Sequence, residues 1–293
     1  MKSKVFFSTE ITPENMIRMY EALGVKPAGR VACKLHSGEM GNQNYLRPEF
    51  MRPIVEHVKG TVVECNTAYG GSRERTEDHW ATIKAHGWSH YFDVDLMDAQ
   101  GDDLILPVPG GRVLRQNYVG RHLENYDFLL VLSHFKGHPM GGFGGALKQL
   151  SIGCASSRGK AWIHSCGRSL DTKECWALPL TQDRFLEAMA DAASTVAKAF
   201  AGRSAYISVL KNLSVDCDCC EVAEDPCMRD IGILASLDPV AIDQAGIDLV
   251  NAQTDDPGQA HFLERVNSRH GVHTIEAAAE LGFGSREYEL IRL

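Results

Sequence analysis

The feature that most constrains the fold is the regular alternation of strand-like and helix-like segments in the first part of the chain. Apolar runs at 4–8, 30–35 and 61–65 predict strands, and helix signals follow each of them, such as Thr12 before Pro13. Strands that alternate with helices of about 10–15 residues are typical of βαβ units. The sequence therefore predicts an α/β fold with a mixed, mostly parallel sheet flanked by helices.

The middle of the chain contributes further strands and one irregular stretch. A strand is predicted at 91–96, and a hairpin is predicted to turn near Pro109. Residues 126–133 are nearly all apolar, as expected for a strand that is covered on both faces. From 154 to about 180 the pattern is irregular. Ligands of open α/β sheets bind at the carboxyl ends of strands, so we expect a site just after the strand at 126–133.

The sequence gives little indication of domain boundaries, since it contains no repeat, low-complexity tract or obvious linker. We expect residues 1–293 to form a single domain. The alternative is a division into two lobes. One would be an α/β lobe over about 1–160 that carries a glycine-rich motif, and the other a cysteine-bearing lobe over about 161–293.

Charge and hydropathy exclude several kinds of partner. The formal net charge is −8, which disfavours nucleic-acid binding. No apolar run approaches the roughly 20 residues of a membrane helix, and the amino terminus lacks the apolar core of a signal peptide. We therefore expect a cytoplasmic protein that binds a small molecule and neither nucleic acid nor membrane. Assembly into a homo-oligomer is left open.

A glycine-rich motif follows the strand at 126–133. Glycine permits tight turns and close approach to a ligand, and the free N–H groups of a helix expected near Ala146 would attract an anion. One interpretation is a binding loop for a phosphate-containing cofactor. The other is a flexible strand–helix connection. The glycines concerned are Gly141, Gly142, Gly144 and Gly145.

Titratable side chains gather around these glycines. His138 and Lys148 bracket them, His134 precedes them, and His164 follows. A single histidine or lysine is usually a solvated or hydrogen-bonded structural residue, but several around one turn favour a functional site. We expect His138 or His134 to act as an acid/base group and Lys148 to hold an anionic group.

A second polar loop, within residues 66–80, also follows a predicted strand. Arg73 or Arg75 in this loop could hold a carboxylate through two hydrogen bonds. A surface loop followed by a helix cap is the alternative interpretation. The predicted catalytic set is therefore His138, Lys148, His134 and Arg73.

Four of the nine cysteines are concentrated in the stretch DCDCCEVAEDPC at 216–227. Thiolates favour zinc, copper(I) and iron–sulfur clusters. The spacing matches neither a zinc ribbon nor a ferredoxin run, so the metal is left open. Reduced structural or redox-active thiols are the alternative. The expected metal ligands are Cys217, Cys219, Cys220 and Cys227.

Taken together, these motifs resemble the family of uncharacterised iron–sulfur-centre proteins known as domain of unknown function 362. The matching stretches are ECNTAYGGSR, SHFKGHPMGGFGGALKQLSIGCAS, DCDCC and DIGILASLDPVAIDQAGIDLV. Many members carry a ferredoxin-like insert after the glycine motif. This chain lacks that insert, and HSCGRSLDTKECW stands in its place with only Cys166 and Cys175.

A fainter resemblance concerns the run H-x-x-G-G-F-G-G-A-L-K, which is similar to the glycine motif of nickel-dependent lactate racemases. That resemblance implies that Lys148 and His164 engage a cofactor or metal and that His138 transfers a proton. It also implies that the glycines at 141–145 cradle a phosphate.

The leading hypothesis is a metal-dependent enzyme that acts on a small anionic organic molecule. Both redox chemistry and racemase- or epimerase-like chemistry fit the motifs. The expected cofactor is a metal of unknown identity (an iron–sulfur cluster, zinc or nickel), with a phosphate-containing cofactor as an addition. The alternative hypothesis is a non-catalytic iron–sulfur or other metal-binding protein that transfers electrons.

Overall fold

A central eight-stranded sheet organises the chain, and two small two-stranded sheets lie beside it. The computed structural model describes residues 2–179 and 181–293, and no helix within them is long and apolar enough to cross a membrane. The strands are β1 (Ser3–Ser8), β2 (Val31–Lys34), β3 (Gly60–Glu64), β4 (Val94–Leu96), β5 (Asp103–Pro107), β6 (Gln116–Gly120), β7 (Phe128–His134), β8 (Lys136–His138), β9 (Gly142–Gly144), β10 (Ser204–Leu210), β11 (Gly232–Ser236) and β12 (Tyr288–Arg292). The helices are α1 (Pro13–Ala22), α2 (Pro48–His57), α3 (Thr76–Ala85), α4 (Trp88–Tyr91), α5 (Ala146–Lys148), α6 (Ser157–His164), α7 (Gln182–Ala199), α8 (Pro239–Asn251), α9 (Gln259–Ser268) and α10 (His273–Glu280).

The strand order of the large sheet is β12-β1-β11-β10-β7-β2-β3-β4. Every neighbouring pair is parallel except those of β11, which runs antiparallel to both β1 and β10. The predicted α/β fold with a mixed, mostly parallel sheet is therefore confirmed. The sheet takes strands from both sides of residue 160, and the division into two lobes stays a prediction.

Two apolar cores cover the two faces of the sheet. Leu129 and Val131 of β7 belong to the core that includes residues of α5, α7 and α8. Leu130 and Leu132 belong to the other core, which includes residues of α1 and α2. Because β7 lies inside the sheet with helices on both faces, all of its residues are buried, as its apolar sequence predicts.

The helix-start signals of the sequence are confirmed. The Thr12 hydroxyl accepts the Asn15 N–H at 3.2 Å, and α1 begins at Pro13. The hairpin near Pro109 is also present, since β5 and β6 pair antiparallel on either side of it. Side-chain caps satisfy N–H groups that a helix leaves free, and this explains why such local signals predict helix ends well.

Two predicted segments differ from the structure. The strand expected at 91–96 covers only Val94–Leu96, because Tyr91 belongs to the short helix α4. The stretch from 154 to about 180 is not irregular throughout, since it contains α6, whose Ser156 hydroxyl accepts the Gly159 N–H at 2.9 Å. A Cβ at Gly159 would lie 1.8 Å from the Tyr118 carbonyl oxygen, so close packing against β6 requires glycine at this position. Because glycine has a low helix propensity, the sequence does not predict a helix here.

The helix expected near Ala146 is also unusual. α5 comprises only Ala146–Lys148 and continues as a π-helical turn at Gln149–Gly153. Such turns are rare and frequently found at functional sites. Lys148, Gln149 and Ile152, from this stretch, all line the same cavity. The π-helical turn therefore contributes side chains to the lining of this cavity.

Candidate active site

A cavity of about 280 Å³ lies where several loops leave the large sheet. The parallel strands β10, β7, β2 and β3 are neighbours, so their carboxyl ends meet at one edge. The loop after β3 contributes Arg73, the glycine motif contributes His138 and Lys148, and the loop after β10 contributes Cys219. The glycine motif and the cysteine loop therefore share one cleft, although they are distant in sequence.

Cys217 lies in an environment that favours the thiolate. The Lys148 ammonium approaches its Sγ at 3.5 Å, and the Cys219 N–H donates to the same sulfur at 3.4 Å. Burial alone would raise the pKa of Cys217, but the hydrogen bond with Cys219 and the charge of Lys148 hold this pKa well below its usual range. A thiolate is a ligand for soft metal ions, so Cys217 is a candidate metal ligand.

His138 has a fixed tautomer. Its Nδ1 accepts the backbone N–H of Gly141 at 2.8 Å and that of Met140 at 3.2 Å. A neutral imidazole that accepts at one nitrogen carries its proton on the other, so the proton lies on Nε2. Nε2 faces the Cys219 Sγ at 4.0 Å. Burial and the Lys148 charge lower the pKa of His138, which keeps the ring neutral.

One group of side chains has the spacing of a metal site. A ring nitrogen of His138 and the Sγ atoms of Cys217 and Cys219 all lie within 4.8 Å of one another. Thiolates suit soft or borderline ions, so the two cysteines fit such an ion. The proton on Nε2 blocks the lone pair with which His138 would bind it. In this geometry His138 is therefore better suited to proton transfer than to metal binding.

The other two predicted metal ligands do not belong to this group. The Cys227 thiol donates to the Leu213 carbonyl oxygen at 3.3 Å, and burial raises its pKa. Cys220 is partly buried and lies at the edge of the same loop. An iron–sulfur cluster commonly takes four thiolates, whereas the group with metal-site spacing includes two, those of Cys217 and Cys219. That all four cysteines bind a metal stays a prediction.

The glycine motif does not leave its helix start free for a phosphate. The N–H groups of Ala146 and Leu147 donate to the Asp243 carboxylate at 2.7 and 2.9 Å. A Cβ at Gly145 would lie 2.3 Å from that carboxylate, so glycine is needed there for close packing. A carboxylate of the chain itself therefore accepts these two N–H groups, and binding of a phosphate by the glycine motif stays a prediction.

The other glycines of the motif also serve packing. Gly142 has a φ of +78°, and a Cβ there would lie 2.8 Å from the backbone of Gly271. A Cβ at Gly144 would lie 3.2 Å from the Lys148 side chain. Gly141 contributes through its N–H, which fixes the His138 tautomer. The glycines therefore shape and orient the site.

His134 has a different position from the one expected of an acid/base group. It is buried outside the cavity lining, with Nδ1 2.9 Å from the Asp218 carboxylate and Nε2 2.6 Å from the Lys211 carbonyl oxygen. Lys136 donates to the same carboxylate at 2.8 Å. Because Asp218 lies between Cys217 and Cys219, His134 and Lys136 fix the cysteine loop to the sheet.

Arg73 lines the cavity, but protein carboxylates already engage it. Its Nε donates to Glu39 at 3.2 Å, its Nη1 lies 3.6 Å from Glu64, and its Nη2 donates to the Tyr69 hydroxyl at 2.7 Å. These contacts occupy N–H groups with which Arg73 was expected to bind a substrate carboxylate, and its catalytic role stays a prediction. Arg73 is the centre of a buried ion network that forms one wall of the cavity.

His164 joins the site from α6. Its ring stacks on Phe185, with centroids 5.0 Å apart, and contacts Trp176, with centroids 4.8 Å apart. Burial lowers its pKa to about 3, so the ring is neutral. His138, Lys148 and His164 therefore meet in one cavity, although the present geometry does not test their predicted chemical roles.

Sequence reasoning missed several lining residues. Lys34 and Glu64 form a buried ion pair at 2.7 Å, and Lys160 lines the cavity from α6. A signal existed for the first two, since each is a charged residue near the end of an otherwise apolar strand. Lys160 gave no such signal, because α6 itself was not predicted.

The fold and the cavity define a class of protein: a mixed-sheet α/β protein with a pocket lined by cationic and cysteine side chains at the carboxyl edge of its strands. The chain belongs to the family described as "Domain of unknown function (DUF362)", whose sequence profile matches residues 31–248. The resemblance noted from its motifs is confirmed to that extent. No curated protein matches the chain.

Two solved structures share a distant likeness with the chain. One is the lactate racemase apoprotein from Thermoanaerobacterium thermosaccharolyticum, with 13% identity and a TM-score of 0.39 over 70% of this chain and 50% of that one. The other is a protein from Thermotoga maritima, with 12% identity and a TM-score of 0.41 over 92% of this chain and 58% of that one. The chain spans about half the length of the first structure and somewhat more of the second, and both likenesses are too weak to bear on function.

Proposed function

We propose that the chain is an enzyme that converts a small anionic organic molecule in the cavity with the help of a soft metal ion held by Cys217 and Cys219. The observation that carries this proposal is the convergence of two cysteine sulfurs and His138 beside Lys148. Functional sites gather titratable groups with perturbed pKa values in clefts, and this cleft contains several.

The lining of the cavity supports an anionic ligand. Its cationic side chains, of Lys34, Arg73, Lys148 and Lys160, outnumber its one carboxylate, that of Glu64. Apolar side chains such as Met140 and Ile152 complete the lining and suit the carbon skeleton of an organic molecule. The volume of about 280 Å³ limits that molecule to a small one.

The residues of the chain supply binding and proton transfer. Lys148 orients an anionic group near the cysteines, and the Nε2 proton of His138 is directed at the same place. A bound metal ion would act as a Lewis acid that polarises an oxygen of the substrate. Neutral His138 offers its Nε2 proton to a substrate oxygen on which negative charge develops, so racemase- or epimerase-like chemistry, which builds such a charge, fits this site better than redox chemistry does.

The proposal is tested by loading metal-free protein, purified anaerobically, with Zn²⁺, Ni²⁺ or Co²⁺ and measuring the stoichiometry. We expect about one ion per chain in the unmodified protein and a loss of tight binding in Cys217→Ser. Cys166→Ser is the matched control, since Cys166 lies outside the group of converging ligands. Small carboxylates should raise the melting temperature of the loaded protein.

The alternative function, a non-catalytic metal-binding or electron-transfer protein, predicts a different result. It requires metal at the cysteines but no binding of a small molecule in the cavity. Metal binding without any carboxylate effect would therefore favour this alternative. Absence of both metal and carboxylate binding would refute both functions.

A further inference from the structure

One cation of the cavity lacks the partner that a buried charge needs. Lys160 is 7% exposed and lines the cavity from α6. Its ammonium donates to the Ala155 carbonyl oxygen at 2.6 Å. Among residues 2–179 and 181–293, no carboxylate oxygen lies within the 4.0 Å of an ion pair with it. Lys160 is therefore a buried cation that makes no ion pair at contact distance, and the carboxylates of Asp98 and Glu64 act on it from farther away.

Two other cations of the cavity are paired with carboxylates of the chain itself. Lys34 pairs with Glu64 at 2.7 Å and Arg73 with Glu39 at 3.2 Å, whereas Lys148 contacts the Cys217 sulfur at 3.5 Å. Leaving a buried charge unpaired is strongly unfavourable, and burial correspondingly lowers the pKa of Lys160. In a cavity that admits a ligand, an anionic group of that ligand can supply a counter-ion at contact distance.

The position of Lys160 is fixed by packing. The preceding residue, Gly159, lies so close to β6 that a Cβ there would be 1.8 Å from the Tyr118 carbonyl oxygen. The Ser156 cap holds the start of the same helix. Lys160 therefore does not reach the cavity through a flexible loop, and its ammonium is held in place as a binding group should be.

Lys160 and Lys148 contact different parts of the cavity wall. The Lys160 ammonium donates to the carbonyl oxygen of Ala155, directly before the Ser156 cap of α6, whereas the Lys148 ammonium contacts Cys217 in the loop after β10. Both lysines line the same cavity, and so does His164. The cavity thus presents two ammonium groups at two places of its wall.

We propose that the ligand of this cavity is a small organic dianion, with one anionic group held by Lys160 and the other by Lys148 beside His138. This inference rests on the proposed function, since it names the substrate class of the same site. Two carboxylates, or a carboxylate and a phosphate, on a short carbon chain match the two ammonium groups and the volume of about 280 Å³. Lys160 is then a specificity-determining residue.

The test compares ligands that differ only in their second charge. Binding of succinate, butyrate and phosphoglycolate to metal-loaded protein is measured by titration calorimetry. We expect succinate or phosphoglycolate to bind about tenfold or more tightly than butyrate, and the better of the two identifies the second anionic group. Lys160→Met should abolish this preference and leave butyrate affinity within about twofold, whereas Lys160→Arg should retain it.

Two controls keep the result interpretable. Lys84→Met removes an exposed lysine of α3 and should leave all three affinities unchanged. Lys160→Met should fold and melt at a higher temperature without ligand, because an apolar chain replaces an unpaired buried charge. Equal binding of succinate and butyrate, or an unchanged preference in Lys160→Met, would overturn the dianion inference but leave the proposed function standing. Failure of all three anions to bind would overturn the proposed function as well.

Discussion

Lys148→Met tests whether one ammonium is responsible for the thiolate of Cys217. The substitution keeps most of the side-chain length and removes the charge. At the observed 3.5 Å between Nζ and Sγ, the attraction is worth about 5 kcal/mol at an effective dielectric constant of about 20. Since a change of one in pKa corresponds to about 1.4 kcal/mol, the pKa of Cys217 should rise by about 3.

The assay is a pH titration of the thiolate absorbance in metal-free protein. Lys148→Met should raise the pKa of one thiol toward that of an ordinary cysteine. The double variant Lys148→Met/Cys217→Ser should lack this transition. Lys198→Met, which removes an exposed lysine at the end of α7, is the control. Superimposable titrations of Lys148→Met and the unmodified protein would refute the assignment of the thiolate to this pair.

Three further outcomes concern stability and are measured by denaturant unfolding. Gly145→Ala places a Cβ 2.3 Å from the Asp243 carboxylate and should lower the free energy of unfolding by about 2–3 kcal/mol. Gly70→Ala is the control, since the nearest neighbour of that Cβ is 4.0 Å away and the loss of stability should be small. Equal effects of the two substitutions would contradict the packing role of Gly145. Glu64→Gln leaves Lys34 buried without its counter-ion and should cost about 3–5 kcal/mol, part of which Lys34→Met should restore in the double variant. Burial lowers the pKa of His79 from 6.5 to about 3, so the unfolded chain binds a proton that the folded chain excludes, and stability should fall as pH drops through this window. His79→Gln should flatten that slope, and an unchanged slope would contradict the buried neutral state.

One wall of the cavity contains an ion network in which Arg73 pairs with both Glu39 and Glu64. Lys148 and Lys160 line the same cavity outside this network. Under our proposal, the first group of charges builds the cavity and the two lysines bind the ligand.

Much of the site could be found from residue types near predicted strand ends. His138, Lys148 and the cysteines at 217 and 219 were predicted because they follow strands whose carboxyl ends meet in an α/β sheet. Their chemical assignments were less predictable. The tautomer of His138 depends on two backbone N–H groups, and the ion pairs of Arg73 depend on one carboxylate from the loop after β2 and one from the end of β3.

By itself, the sequence determined the α/β class, most strands and helices, and the helix starts at Pro13 and Pro239. These follow from periodicity and capping, which act over a few residues. Only the tertiary structure decided that Asp243 fills the helix start at Ala146, 97 positions away, and that Lys148 meets Cys217 across 69 positions. Such contacts depend on which strands become neighbours in the sheet, and a local pattern of residues does not predict which strands pair.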